Sequence, residues 1–283
     1  MYVDLEKLAE SSTDKEIGLK CDYVNNKMGN FLAGDKYELA VECGSRDIVD
    51  LMVFAGFYGV NKSYAFECNP YAIDLCKRNL KYCDSDIELV EKAVYNKDQK
   101  IEFYSVDAIN ENSNIGASSL LENSGINEPV TAIEVDAIRL DTFMEQKAID
   151  KIDILIMDLQ ESELIALEGL GERISDVNKI LLEATMTHED TYYKGGCTIE
   201  EIRHFLESNG FEYTASDHNY WQIRLQTILN ESPELETPEF VENYVTSVHE
   251  TTTFNEHENY DWMLKEIKNG AHKFFCNFLF TKK

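Results

Sequence analysis

The sequence feature that most constrains the fold is a nearly continuous apolar run, IDILIM at residues 152–157, which ends at Asp158. A strand of this kind has no polar face, so it belongs inside a parallel sheet that helices cover on both sides. Other short apolar runs alternate with helical patterns before and after it. This alternation predicts βαβ units and therefore an α/β fold with a mostly parallel sheet and helices on both faces.

The same patterns give the order of the elements. We predict strands at 37–41, 63–66, 87–90, 101–104, 132–135, 152–157, 177–185 and 211–214, and a last strand in KFFCNFLFTKK at the end of the sequence. We predict helices at 48–57, 70–82, 162–169 and 198–208, the last of them opened by a capping-box pair, Thr198 and Glu201. The chain then divides into an N-terminal helical extension, 1–36, and a main domain, 37–283. The chain also contains an insertion at about 218–271, whose length suits either a lid over the site or a contact between the subunits of a homodimer.

The charge of the chain restricts its partners. A formal net charge of −27 repels nucleic acid, so we expect no nucleic-acid substrate and favour a neutral or cationic ligand. No apolar run reaches the roughly 18 residues of a membrane span, and the first residues lack a signal-peptide pattern, so we expect a cytoplasmic protein. The seven cysteines include no CxxC pair, which indicates neither a disulfide framework nor a zinc site.

A ligand site is indicated where the first two predicted strands end. Gly44 follows the first strand directly, and in open α/β sheets ligands bind beyond the carboxyl ends of the strands. Glu67 follows the second strand, where a carboxylate can accept both hydroxyl protons of a ribose. The alternative is that Gly44 serves only the turn between a strand and a helix.

The glycine pattern discriminates between nucleoside cofactors. A dinucleotide needs G-x-G-x-x-G against its pyrophosphate, whereas this chain has the single Gly44 followed by Ser45, Arg46 and Asp47. Glu42 adds a negative charge where a pyrophosphate would lie. Both features count against NAD and favour a cationic ligand without phosphate, such as S-adenosylmethionine.

Seven segments in order carry a resemblance to a known family: VECGSRD, AFECNP, VEKAVYNKDQKIEFY, SSL, RLDTF, IDILIMDLQESELIALEGL and KILLEAT. Over residues 37–216, and again in the closing NFLFTKK, the chain resembles the FkbM-type family of S-adenosylmethionine-dependent methyltransferases. The resemblance implies a class I methyltransferase fold, which is Rossmann-like and has a seven-stranded sheet with its last strand antiparallel.

The resemblance also implies roles for residues that bind S-adenosylmethionine. The methionine part would lie beside Glu42, Cys43, Gly44 and the adjoining Ser45. The ribose would be held by Glu67, and the adenine flanked by Cys68, Lys92 and Ala93. The chain departs from the family at Asp47, where a second glycine is usual, and at 156–161, where the usual Lys-x-Asp-x-Glu-Gly keeps only its aspartate, Asp158. These departures leave open a non-catalytic module that binds the cofactor or another protein.

Methyl transfer to a hydroxyl requires a base for the acceptor's proton. Asp158, which would also contact the cofactor, Glu183 and His188 follow or end strands on the ligand side of the sheet. Each has another interpretation: Asp158 as a helix cap, Glu183 as a buried polar anchor and His188 as a surface residue. With Glu189 and Asp190 the three include ligands that magnesium or calcium prefers, but no recognisable spacing supports a metal site.

The acceptor is expected to meet the irregular parts of the chain. These are residues 1–36, the loop 107–128, the pair Tyr192 and Tyr193, and the insertion with Tyr220 and Trp221. Known members of the family methylate hydroxyls of sugars and of polyketides, so we favour a saccharide hydroxyl in a glycan or glycoconjugate. A small-molecule acceptor or an amine nitrogen is the alternative within the same fold.

Overall fold

Ten strands are found in the described part of the chain. They are β1 (Leu39–Cys43), β2 (Lys62–Phe66), β3 (Ile87–Val90), β4 (Ala93–Val94), β5 (Gln99–Val106), β6 (Val130–Ile138), β7 (Ile152–Met157), β8 (Val177–Thr185), β9 (Phe211–Ser216) and β10 (Phe275–Lys282). Seven of them form the main sheet in the order β3-β2-β1-β7-β8-β10-β9. β10 runs antiparallel to both of its neighbours, and the other adjacent pairs are parallel. This is the class I methyltransferase arrangement that the resemblance implies.

The structure is a computed structural model that describes residues 32, 34–107, 113–123, 129–185, 188, 191–216, 229, 232–235, 237–240 and 275–283. The N-terminal extension predicted at 1–36 and the insertion predicted at 218–271 lie almost entirely outside the described residues. So do Glu189, Asp190, Tyr220 and Trp221.

In the part of the chain that the structure describes, five α-helices connect the strands: α1 (Val49–Tyr58), α2 (Pro70–Asn79), α3 (Leu140–Gln146), α4 (Glu163–Glu168) and α5 (Ile199–Ser208). The capping box predicted at α5 is present, with Thr198 and Glu201 bonded to each other's backbone. The helix predicted at 70–82 ends at Asn79 and continues as a 3-10 turn. α3 was not predicted, because its seven residues are too short to show a helical period.

Helices pack on both faces of the main sheet, as predicted. Successive residues of a strand point to opposite faces, so β7 presents Leu155 to one side and Ile154 and Ile156 to the other. The Leu155 side is covered by α3, α4 and α5, and the Ile154 side by α1 and α2. The apolar run of β7 is therefore explained by its position in the middle of a covered sheet.

The strands predicted at 101–104 and 132–135 are longer than expected and form a second sheet. It has three strands in the order β4-β6-β5, with β5 and β6 antiparallel. Tyr104 of β5 and Ser119 exchange backbone hydrogen bonds, which hold residues 113–123 against this sheet. This small sheet thereby positions a segment of the loop 107–128 above the edge of the main sheet.

Within the residues that the structure describes, no helix combines the length and the apolar character needed to cross a membrane.

Candidate active site

A cavity of about 490 Å³ opens where β1, β2 and β7 end. Its size is ordinary for a small-molecule site, and its place is the ligand side of an open α/β sheet. One wall comes from the ends of the three strands, and another from residues 114–120 and from Tyr192 and Tyr193. The segment positioned by the small sheet therefore faces the strand ends across the cavity.

The backbone at Gly44 lies against the backbone of Asp158. The φ of Gly44 is +84°, and a Cβ placed on it would lie 1.9 Å from the Asp158 carbonyl oxygen. The amides of Gly44 and Ser45 both donate to the Phe66 carbonyl at 3.0 Å. The backbone at Gly44 therefore approaches the end of β7 closely, so that Gly44 and Asp158 fix each other's position.

Glu67 joins the loops that follow β1 and β2. Its carboxylate accepts hydrogen bonds of 2.8 Å from the backbone amides of Arg46, Cys68 and Asn69. Burial raises the pKa of Glu67 to about 7, although the three amides oppose the rise. An ionised carboxylate accepts about four hydrogen bonds, so Glu67 retains capacity for one more from a ligand hydroxyl.

Glu42 and Ser45 each place in the cavity a polar side-chain atom that has no hydrogen-bond partner among the described residues. Both residues are buried, and no described residue bonds Glu42 Oε2 or Ser45 Oγ within hydrogen-bond geometry. Burial raises the pKa of Glu42 well above its ordinary range, with a smaller opposing effect of the nearby Ser45 hydroxyl. Buried polar atoms are normally paired, so these two fit a bound group that carries hydrogen-bond donors and positive charge.

Asp158 is oriented by its neighbour Gln160. The Gln160 amide nitrogen donates to Asp158 Oδ1 at 2.6 Å, and its amide oxygen accepts from the Tyr193 hydroxyl at 3.1 Å. Burial raises the pKa of Asp158, while the Gln160 amide and the positive charge of Arg46 act in the opposite direction. Asp158 is therefore a carboxylate with raised proton affinity and a fixed orientation in the cavity.

Below the cavity, a second buried carboxyl group supports the turn after β7. Glu163 Oε1 accepts from the Leu159 amide at 2.7 Å, and the Cys197 thiol lies 3.6 Å from Oε2. Burial raises the pKa of Glu163 to about 8. Glu163 is thus protonated in the folded protein at pH values where it is ionised in the unfolded chain.

The raised pKa values of Glu67 and Glu163 predict that stability falls as the pH rises. Between about pH 4.5 and pH 8 the folded state binds more protons than the unfolded state, so the free energy of unfolding decreases through this interval. We expect a lower midpoint of urea unfolding at pH 8.5 than at pH 5.5. Repulsion among the excess negative charges acts in the same direction, so Glu163→Gln is the control. The glutamine of this variant cannot ionise, so its unfolding midpoint should depend less on pH than that of the wild type. A wild-type midpoint that rises with pH would contradict the raised pKa values.

The structure brings together most of the site residues that the sequence indicated. Those that line the cavity are Glu42, Gly44, Ser45, Glu67, Cys68, Lys92, Ala93, Asp158 and Glu183. Among the described residues, no group of three or more histidine, cysteine, aspartate or glutamate side chains is arranged to hold a metal ion.

Two of the residues that the sequence indicated lie outside the described lining of the cavity. The Cys43 side chain packs in the core on the Leu155 side of the sheet, and only its carbonyl takes part, accepting from the Asp158 amide at 3.0 Å. Neighbours in a strand point to opposite faces, so Glu42 and Cys43 do not share the cavity. His188 is exposed, lies 3.5 Å from a Glu201 oxygen and is absent from the described lining of the cavity.

The sequence indicated the loop 107–128 and the pair Tyr192 and Tyr193 as contacts of the acceptor, and residues 114–120 of that loop line the cavity. It did not reveal the hydrogen bond between Gln160 and Tyr193. Gln160 was visible only as a departure from the family's usual residues after Asp158. The single proton of the Tyr193 hydroxyl is shared between Gln160 Oε1 and the nearer Ala117 carbonyl, at 2.7 Å, and this shared bond links the two walls of the cavity.

Comparisons with known proteins point to one family. Residues 42–213 match a sequence model of the methyltransferase FkbM domain. A search of curated proteins gave no match.

Several solved structures share a weak likeness with the chain. The methyltransferase FkbM from Methylobacillus flagellatus KT is 14% identical over 64% of this chain and 47% of that chain, with a TM-score of 0.37. TrmK of M. capricolum, in complex with S-adenosyl-homocysteine, is 8% identical over 90% of this chain and 67% of that chain, with a TM-score of 0.43. Precorrin-6y C5,15-methyltransferase from Geobacter metallireducens GS-15 is 12% identical over 71% and 78%, with a TM-score of 0.41. No conclusion about function is drawn from likenesses of this size.

Proposed function

The chain belongs to the FkbM family of methyltransferases, and we propose that the group it methylates is a saccharide hydroxyl in a glycan or glycoconjugate. The observation that carries this proposal is Asp158, a carboxylate with raised proton affinity that Gln160 orients in the cavity. A hydroxyl must lose its proton when its oxygen is methylated, and a carboxylate so placed can accept it.

The residues of the cavity fit the cofactor of the family, S-adenosylmethionine. This cofactor supplies a methyl group on a sulfonium centre. Glu42 Oε2 and Ser45 Oγ, which accept no hydrogen bond from the described residues, would accept from its ammonium group. Glu67, which already accepts hydrogen bonds from three backbone amides, would accept a fourth from a ribose hydroxyl. Cys68, Lys92 and Ala93 would flank the adenine on the β3 side of the cavity.

The composition of the cavity supports an uncharged or cationic acceptor. Among the described residues, five carboxyl side chains and two basic ones line it, namely Glu42, Asp50, Glu67, Asp158 and Glu183 against Arg46 and Lys92. This excess disfavours phosphorylated acceptors and nucleic acid, since like charges repel at short range. Tyr192, half-buried in the lining, offers a ring on which a sugar can stack.

An amine is the second candidate acceptor, and the same five carboxyl groups favour it because they attract a cation. The two candidates differ in the proton that must be removed. A protonated amine must lose its proton before the reaction, whereas a hydroxyl loses its proton to a base during methyl transfer.

The experiment that tests the proposal is methyl transfer from S-adenosylmethionine labelled in its methyl group. The acceptor panel contains methyl glycosides, oligosaccharides and, in parallel, primary amines of similar size. Labelled methyl ethers of a saccharide, accompanied by S-adenosylhomocysteine, are the expected products. Methylated amines alone would replace the proposal with the second candidate. Absence of transfer to both classes, despite cofactor binding, would favour the non-catalytic module.

Glu42→Gln should weaken the binding of S-adenosylhomocysteine about 10- to 100-fold. A hydrogen bond between charged groups contributes about 1.5–3 kcal/mol, and the amide removes the charge without changing the size of the side chain. Calorimetric titration of the folded variant measures the effect. 5′-Methylthioadenosine is the control ligand, because it keeps the adenosine and the sulfur but has no ammonium group. Its affinity should stay nearly constant, and an equal loss for both ligands would show that Glu42 does not meet the ammonium.

A further inference from the structure

Glu161 ties the turn after β7 to the segment 191–197. Its carboxylate accepts hydrogen bonds from the backbone amides of Tyr192 at 2.7 Å and Tyr193 at 3.3 Å. Its own carbonyl accepts from the Cys197 amide at 3.0 Å. The side chain is almost fully buried, although it belongs to a residue type that is usually exposed. One residue thus holds both ends of the segment.

The segment 191–197 is shaped to receive this carboxylate. A Cβ added to Gly196 would lie 2.0 Å from Glu161 Oε2 and 2.8 Å from Glu161 Cβ. The Glu161 side chain therefore occupies the space that the absence of a side chain at position 196 provides.

Glu161 adopts an unfavourable backbone conformation, which contacts of its side chain must stabilise. Its φ is +72°, and that of the preceding Gln160 is +52°, in the left-handed region that residues with a Cβ rarely adopt. Such conformations persist when the surrounding contacts enforce them. Here those contacts are the bonds from Glu161 to the segment and from Gln160 to Asp158 and Tyr193.

We propose that Glu161 is a positioning residue, which clamps the segment 191–197 so that Tyr192 and Tyr193 stand at fixed places in the wall of the cavity. Through Tyr193 the clamp reaches Gln160 and then Asp158, whose carboxylate Gln160 orients. Through Tyr192 it sets the width of the cavity opposite the ends of the strands. The part of the inference that concerns the acceptor rests on the proposed function, whereas the clamp itself does not.

Hydrogen exchange in Glu161→Gly tests the clamp without any acceptor. Glycine tolerates the left-handed backbone, which offsets part of the cost of losing two hydrogen bonds, so the variant should fold with a moderately lower Tm. The informative amide is that of Lys194, which donates to the Glu122 carbonyl at 2.9 Å and not to Glu161. If Glu161 clamps the whole segment, the Lys194 amide should exchange at least about tenfold faster in the variant. If only the amides of Tyr192 and Tyr193 change, Glu161 is a local acceptor and the clamp is refuted.

Ala148→Gly is the matched control for the backbone change. Ala148 also has a positive φ, +51°, and lies after α3 on the surface. Its replacement relieves a similar backbone conformation without touching the segment. Exchange of the Lys194 amide should therefore equal that of the wild type. Faster exchange in this control would mean that the result for Glu161→Gly does not support the clamp.

A second variant tests the fit between Glu161 and Gly196. Gly196→Ala should displace the carboxylate and speed exchange of the Lys194 amide. In the double variant with Glu161→Gly the added methyl group meets no carboxylate, so its effect should largely disappear. Additive effects of the two substitutions would contradict the fit.

Kinetics then tests what the clamp does for the acceptor. With the methyl glycoside methylated fastest in the panel above, Glu161→Gly should raise KM at least about fivefold. The dissociation constant of S-adenosylhomocysteine should stay within about twofold, because the contacts of Glu42 and Glu67 are untouched. An unchanged KM alongside fast exchange would show that the segment does not contact the acceptor. If no glycoside is methylated by the wild type, the proposed function fails, and the exchange experiments still decide the clamp.

Discussion

Asp158→Asn is expected to lower kcat by about 10²–10⁴-fold, the usual contribution of a positioned general base. The asparagine keeps the size of the side chain and an oxygen that accepts from Gln160, but it cannot take a proton from the acceptor. The affinity for S-adenosylhomocysteine should change only a few-fold. Initial rates with the methylated glycoside, together with calorimetry, separate the two quantities.

Glu183→Gln is the matched control for this prediction, because Glu183 in β8 is the other carboxyl group in the cavity that is a candidate base. It should keep most of the wild-type kcat. If Glu183→Gln loses the activity and Asp158→Asn keeps it, the base is Glu183, and the orientation of Asp158 by Gln160 serves another purpose.

The pH dependence of the rate follows from the same assignment. Burial raises the pKa of Asp158, so the acidic limb of kcat/KM should lie above the ordinary range of an aspartate, and activity should rise as the pH rises through it. The Gln160 amide favours the ionised form. Gln160→Leu should therefore move the limb to higher pH, whereas a limb that moves to lower pH, or does not move, would contradict the role of the amide.

The sequence was sufficient for the parts of the site that strand ends determine. The carboxyl ends of β1, β2 and β7 must meet at one edge of a parallel sheet, so Glu42, Glu67 and Asp158 could be placed together from their positions alone. The alternation of side chains along a strand also predicts that the Cys43 side chain points away from the face that Glu42 occupies.

The parts that the sequence did not reveal depend on contacts between distant segments. The exposed position of His188 beside Glu201 is a contact between separate segments, which no periodicity encodes. The left-handed turn at Gln160 and Glu161 contradicts the preferences of both residue types. The turn is stabilised by contacts with Tyr193 and Gly196, which lie more than 30 residues further along the chain.

Gly44→Ala is expected to destabilise the fold by about 2–5 kcal/mol. A left-handed residue with a Cβ costs roughly 1–2 kcal/mol, and forcing an atom into a packed site costs about 1–3 kcal/mol more. The new Cβ would lie 1.9 Å from the Asp158 carbonyl oxygen, which is backbone and cannot rotate away. Chemical denaturation measures the loss, and roughly 2–4 °C of Tm per kcal/mol gives a second readout.

Gly210→Ala separates the two causes of this destabilisation. Gly210 has nearly the same φ, +83°, but a Cβ there would meet only the end of the Lys282 side chain at 3.8 Å. It should therefore show the backbone penalty of roughly 1–2 kcal/mol alone. The excess loss in Gly44→Ala then measures how closely the loop after β1 approaches the end of β7.

Since that approach also places Asp158 beside Glu42, the folded fraction of Gly44→Ala should bind S-adenosylhomocysteine more weakly, while Gly210→Ala binds it as the wild type does. Equal losses of stability in the two variants would mean that the glycine serves only its own turn, and that the positions of the two carboxylates are fixed by other contacts.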